Sequence, residues 1–211
     1  MEMAELLREV VPCAVMSRFL KTGSEACSAA VRIARAYTRR DVVLTFSYHG
    51  WHSEFAVITE RSSGIPKAFG DSIHEFPYND IEALESLFKF HKGKVACVIM
   101  EPVLINYPYQ GYLRDVKALC EKNGSLLIFD EVVSGFRWSL GGASEYFRVV
   151  PDISVIGKGC ANGASLAGVC GREDVMREFE KVMVSSTFGG NCLDLAAGIA
   201  TVNEMREHQT I

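Results

Sequence analysis

Val95–Met100 reads V-A-C-V-I-M: six consecutive apolar residues, the length of a strand, with no polar residue at alternate positions. A strand with one face in water alternates apolar and polar side chains. An unbroken apolar run of strand length fits a strand buried on both faces, the usual state inside a parallel sheet. Predominantly apolar runs of similar length recur at residues 41–46 (D-V-V-L-T-F), 125–129 (S-L-L-I-F), 153–156 and 167–170. This repetition is the strongest constraint on the fold, because every such strand needs an apolar layer above it and another below.

The segments between the runs supply those layers. Residues 24–38 place Ala26, Ala30, Ile33, Ala34 and Tyr37 on one face at helical spacing, and residues 80–91 align Leu84, Leu87, Phe88 and His91. Residues 112–123 turn Val116, Leu119 and Cys120 inward, and Asn123-Gly124 stops that helix, since both residues tolerate the left-handed conformation. Residues 191–208 form a last helix, rich in alanine near its start. Strands alternating with amphipathic helices predict an α/β fold, a mostly parallel sheet sandwiched between helices. No repeat, low-complexity tract or long linker interrupts the alternation. The 211 residues amount to one large domain, or one domain and part of another.

Composition narrows the function classes. Hydrophobic residues make up 48% and charged residues 23%, the balance of a globular chain, which excludes disorder, collagen and a coiled coil as the main architecture. The net charge of −4 offers no surface for a polyanion, so no nucleic-acid partner is expected. The apolar runs fall far short of the roughly 20 residues of a membrane span, and the acidic start M-E-M-A-E-L-L-R lacks the apolar region of a signal peptide. No membrane association is expected. Seven cysteines, an odd number without a C-x-x-C pair, fit reduced, mostly buried thiols in the cytoplasm rather than a disulfide scaffold or a zinc site. His52, His74, His91 and His208 show no metal-ligand spacing and read as structural or surface residues.

In a parallel α/β sheet, ligands bind beyond the carboxyl ends of the strands. Glu101-Pro102 follows the run at 95–100, Asp130-Glu131 follows 125–129, and Gly157-Lys158-Gly159 follows 153–156. Three chemistries compete for these strand ends. An apolar strand ending in Asp-Glu suits a magnesium-dependent ATPase, but G-x-x-x-x-G-K-[ST] is absent. Residues 157–162 (G-K-G-C-A-N) nearly spell a dinucleotide fingerprint, with Asn162 in the last glycine's place and small residues where a helix should begin. The third reading uses all three ends. A lysine at a strand end can form a Schiff base with a bound aldehyde, and a carboxylate on a neighbouring strand can keep a pyridine nitrogen protonated. Thr22-Gly23-Ser24-Glu25-Ala26 is a helix start whose N–H groups and hydroxyl can bind phosphate. Together these describe a pyridoxal phosphate site.

Several stretches carry a family resemblance in order and spacing. They are residues 18–26 (R-F-L-K-T-G-S-E-A), Tyr48-His49-Gly50, Glu101-Pro102-Val103, and 127–137 (L-I-F-D-E-V-V-S-G-F-R), followed by 139–143 (S-L-G-G-A), Pro151-Asp152, Gly157-Lys158, and 187–191 (T-F-G-G-N). The chain resembles the class III, fold-type I, pyridoxal-phosphate-dependent aminotransferases, and within them the glutamate-1-semialdehyde 2,1-aminomutase-like branch. The resemblance implies a mostly parallel, seven-stranded-type sheet and pyridoxal 5′-phosphate as cofactor. It implies amino-group transfer between a small-molecule amino donor and a carbonyl acceptor, or within one molecule as in the aminomutase, and a homodimer with a shared active site.

Residue by residue, the resemblance makes Lys158 the Schiff-base lysine and proton carrier, and Asp130 the partner of the pyridinium nitrogen. Val132 touches one face of the ring and Tyr48 stacks on the other, with His49 beside it. Gly23 and Ser24 hold the phosphate, and Thr187 reaches the phosphate of the neighbouring subunit. Asn106 lies on the phenolic-oxygen side of the ring, and Glu101 shapes the substrate pocket. Ile105, Ser165 and Cys192 depart from the family pattern, standing for a glycine and two prolines. Against that family, residues 1–211 match the large cofactor domain, without the N-terminal arm and the small C-terminal domain. A chain so limited has an alternative role, a truncated cofactor-binding domain with little catalysis, acting as a binding or scaffold remnant.

Overall fold

The computed structural model describes residues 1–211. Seven strands form a single sheet: β1 (Met16–Leu20), β2 (Val42–Phe46), β3 (Ile73–Glu75), β4 (Val95–Met100), β5 (Leu126–Glu131), β6 (Ile153–Ile156) and β7 (Ala167–Gly171). Their spatial order is β1-β7-β6-β5-β4-β2-β3. Strands β2 to β6 run parallel, while β7 lies antiparallel to both β6 and β1. The helices are α1 (Glu2–Val10), α2 (Gly23–Thr38), α3 (Ser53–Ala56), α4 (Ile81–Phe90), α5 (Tyr112–Asn123), α6 (Gly142–Tyr146), α7 (Glu173–Met176) and α8 (Cys192–His208).

Neighbouring residues of one strand feed opposite layers. Ile99 and Ile128 pack with Ala26, Ala30, Ile33 and Ala34 of α2. Val98 and Leu127, one residue earlier, pack with Leu84 and Phe88 of α4 and Val116 of α5. A third cluster joins Met3, Leu6 and Leu7 of α1 to Val202 of α8 and Ile156 of β6. All six residues of β4 are buried, which is why this run carries no polar alternate. Burying each Ile or Leu contributes about 1.5–3 kcal/mol against conformational entropy.

The parallel α/β sheet stands as the apolar runs predicted it. Beside the short helical turns α3, α6 and α7, three further elements do not announce themselves in the sequence. Edge strand β1 contains Ser17 and Arg18 and buries only Leu20 fully, so it lacks an apolar run. Strand β3 has three residues, too few for a period, and α1 lies in a segment whose acids draw attention to charge. Six cysteines are buried, but Cys192, at the start of α8, is exposed, because the helix presents its first turn to solvent. His74 and His91 stack on each other with ring centroids 4.2 Å apart. No helix is long and apolar enough to cross a membrane.

Candidate active site

After β2 the chain moves outward to the edge strand β3 and then returns to β4 on the other side of β2. Such a reversal of strand order opens a crevice at the carboxyl ends of the two strands. A cavity of about 160 Å³ lies there, lined by residues from five elements' ends, among them Ser24, His49, Glu101, Asp130, Val132 and Lys158. Tyr48, Gly50, Gly23 and Cys27 complete its wall.

The start of α2 is fixed locally. Thr22 caps the helix by accepting the Glu25 N–H at 3.2 Å, and the Glu25 carboxylate accepts the Thr22 N–H at 3.0 Å, a reciprocal capping box. The first-turn N–H groups of Gly23 and Ser24 are those that a helix leaves without intrahelical partners, at its positive end. Gly50 stands against them with φ of +109°, and a Cβ there would lie 2.6 Å from the Ser24 Cα. A Cβ on Gly23 would meet Val132 Cγ2 at 2.9 Å. Both glycines keep the cradle open and the backbone close.

Asp130 closes the inner wall. Its Oδ1 accepts the Val132 N–H at 3.0 Å, and its Oδ2 meets His49 Nδ1 at 2.7 Å and the Cys27 thiol at 3.3 Å. The carboxylate accepts, so His49 Nδ1 carries the proton. The His49 ring packs edge-on against Phe55, and its Nε2 is buried without a hydrogen-bond partner. The Cys27 thiol is pushed well up by burial, with the Asp130 charge adding to it. Glu101 is buried; Oε1 accepts the Ser47 hydroxyl at 2.8 Å, and Oε2 has no partner. Burial raises the Glu101 carboxyl above the ordinary carboxylate range. Lys158 follows β6 in a single 3₁₀ turn (Lys158–Ala161), with a φ of +38° unusual for a residue with a side chain. That turn, with no longer helix behind it, is not the phosphate-binding helix a dinucleotide fingerprint requires.

Of the residues the sequence singles out, the cavity brings together Lys158, Asp130, Gly23, Ser24, Tyr48, His49, Val132 and Glu101. Tyr48 is 65% exposed and also borders a second cavity of about 720 Å³ with Trp51, Glu60 and Arg61. Asn106 and Thr187 are exposed and do not line the cavity of this chain. Cys27, a core residue by its sequence pattern, also lines the cavity. Its position one helical turn after Gly23, on the buried face of α2, is the signal that could have found it.

A carboxylate acceptor, a primary amine and a helix N-terminus around one cavity suit a phosphorylated ligand with a basic ring nitrogen and an electrophilic carbon. The Gly50–Ser24 cradle and the inward-facing Asp130 fit such a group. Comparison with known proteins agrees. The model of the class III aminotransferases matches residues 1–211, and the chain belongs to that family. Its members depend on pyridoxal 5′-phosphate. The chain is 41% identical to a 3-aminobutyryl-CoA aminotransferase of Cloacimonas acidaminovorans over 203 residues, 93% of this chain and 48% of that protein. It is 37% identical to a glutamate-1-semialdehyde 2,1-aminomutase of Lachnoclostridium phytofermentans, over 100% of this chain and 54% of the relative. An omega-transaminase from Sphaerobacter thermophilus superposes with a TM-score of 0.91 at 30% identity, over 97% of this chain and 52% of that one. The chain thus spans about half the length of the relatives it matches.

Proposed function

We propose that this chain holds pyridoxal 5′-phosphate and performs amino-group transfer, as an aminotransferase or an aminomutase of the glutamate-1-semialdehyde type. The observation that carries the reading is the convergence of Lys158, Asp130 and the start of α2 on one cavity. When bound, the cofactor supplies an aldehyde that forms Schiff bases with amines and a ring that accepts the electron pair left when a proton leaves the substrate's alpha carbon.

The chain's own residues divide the remaining work. Lys158 Nζ would be the amine that meets the cofactor's aldehyde carbon and, once freed, the base that moves the alpha proton. Asp130 would accept the ring nitrogen's N–H, and the Val132 N–H and His49 hold its carboxylate in place. Gly23 and Ser24 bind the phosphate through N–H groups and the Ser24 hydroxyl. Val132 and Tyr48 would flank the ring and Glu101 would bound the substrate space, while Asn106, exposed outside the cavity, is given no contact with the ring. The adjoining cavity gives room for the body of a small amino donor or carbonyl acceptor.

The exposure of Thr187 and Tyr48 supports a homodimer in which Thr187 reaches the neighbouring subunit's phosphate. Free, buried thiols support a reducing compartment, the cytoplasm. The open face of the cavity supports a second reading: residues 1–211 as a cofactor-binding domain with little turnover of its own, acting as a binding or scaffold element. The test is to add pyridoxal phosphate, record the visible absorbance of the Schiff base, reduce with borohydride and map the adduct by mass spectrometry. An adduct on Lys158 is expected. Absence of any adduct at saturation overturns both readings; an adduct without a half-reaction on any amino donor selects the second.

A further inference from the structure

Cys27, His49 and Asp130 lie at least 95% buried on three different segments, and their donor atoms all fall within 4.8 Å of one another. None is near another in sequence: residue 27 sits on α2, residue 49 after β2, and residue 130 at the end of β5. All three line the same cavity, which provides an entry path and room for water. Hydrogen bonding leaves the group incomplete, since Asp130 Oδ2 takes two donors while His49 Nε2 has none.

We propose that in the cofactor-free protein these three side chains form a binding site for one zinc-class divalent cation, overlapping the place of the cofactor's ring nitrogen. A thiolate, an imidazole and a carboxylate are a donor set that selects zinc or cobalt over magnesium or calcium, and three protein ligands leave the fourth position to water. Two of the three donor pairs can be compared directly with a tetrahedral site, and the third, Cys27 to His49, lies within 4.8 Å. Tetrahedral bonds of about 2.0–2.3 Å separate donor atoms by about 3.3–3.6 Å. The Cys27–Asp130 pair at 3.3 Å is already there, and the His49–Asp130 pair at 2.7 Å must open by about 0.6 Å. Proton accounting closes as well. The His49 proton moves from Nδ1 to the unpartnered Nε2, and the thiol proton of Cys27 leaves to solvent. The metal then occupies Asp130, the carboxylate that the cofactor reading needs, so metal and pyridoxal phosphate exclude each other. This exclusion rests on that reading; the metal site itself does not.

The test is a cobalt titration of the cofactor-free protein in a Cys192→Ser background, which removes the exposed thiol. One cobalt per chain is expected, with a sulfur-to-cobalt charge-transfer band that disappears in Cys27→Ser. X-ray absorption of the zinc form, with Cys27 intact, should show one sulfur at about 2.3 Å and nitrogen or oxygen at about 2.0–2.2 Å. With zinc at ten times its dissociation constant, the apparent affinity for pyridoxal phosphate should fall about tenfold. No thiolate band, a band that survives Cys27→Ser, or a zinc shell without sulfur overturns the site. A Cys27-dependent band that pyridoxal phosphate does not displace overturns the overlap. Failure to take up pyridoxal phosphate at all would sink the cofactor reading while the band still decides the metal site.

Discussion

The two ends of the parallel strands each bury a carboxylate, and the two are completed differently. At the amino end, Asp152 precedes β6 with all its acceptors engaged. Oδ2 accepts the Leu127 N–H at 2.8 Å and Lys117 Nζ at 3.2 Å, and Oδ1 accepts Arg172 Nη1 at 2.8 Å. At the carboxyl end, Asp130 has one backbone donor, a histidine and a thiol, no full cationic partner, and an open cavity in front of it. Glu131, next along β5, resembles Asp152. It accepts the N–H groups of Ala143 and Ser144 and the Ser134 hydroxyl, and so anchors α6 on the other side of the strand. A buried carboxylate whose partners all come from the chain ties elements together. One left facing a cavity is available to a ligand.

Replacing Lys158 by Ala gives the largest effect. On the proposed function it removes the amine and the proton carrier, and amino transfer should slow by about 10²–10⁴-fold, the usual contribution of a positioned base. Stopped-flow spectra of the half-reaction read this directly; unchanged rates would end the assignment.

A matched pair tests the contrast between the two aspartates. Asp152→Asn strips the counter-charge from Lys117 and Arg172, at a cost of about 1–3 kcal/mol, moderated because Arg172 is partly exposed. For a chain of this size that lowers the melting temperature by about 2–12 °C. Asp130→Asn should change melting little and transfer activity greatly. If thermal scans and activity assays show the opposite pattern, the division of labour between the two ends is wrong.

Gly50→Ala sharpens the same contrast at the cradle. The new Cβ occupies a positive φ and the space of the Ser24 backbone, costing about 1–2 kcal/mol from the dihedral alone and pushing the start of α2 away. Phosphate or cofactor affinity, measured by calorimetry, should fall more than stability does. Equal affinity in the variant would remove Gly23 and Ser24 from the phosphate site.

The smallest effect concerns Glu101. Its folded-state pKa is raised by burial, so between the ordinary carboxylate value and the raised one the folded protein binds more protons than the unfolded chain. Stability contributed by this group therefore falls as pH rises through that window. Glu101→Gln removes the ionisation, and urea melts from pH 4 to 7 should show a flatter profile. A wild-type slope that persists in the variant would place the dependence elsewhere, with Glu131, whose carboxyl is also raised by burial, as the other source.

Legibility followed burial. Strands β4 and β6 are readable to the residue because both are buried throughout, with Ser154 the single polar residue between them, while β1 and β3 at the edges have no such signature. The strand-end residues Glu101, Asp130 and Lys158 could be picked out because polar residues interrupting apolar runs stand out. Cys27 could not, since a cysteine on the inner face of an alanine-rich helix looks like any other core residue. Asn106 and Thr187, placed by motif, lie outside this chain's cavity, and nothing in residue order could say whether they face it.

The layers of this protein follow from residue order alone, because hydrophobic periodicity is local and each strand's need for cover is written in its own residues. Residue order also determines which residue types stand at the strand ends. Which of them share a space is set by the fold. The order β1-β7-β6-β5-β4-β2-β3 places residues 49 and 130, 81 apart in sequence, 2.7 Å apart in space. Pairing of that kind depends on register and strand order, which are set by packing of the whole sheet and not by any segment within it.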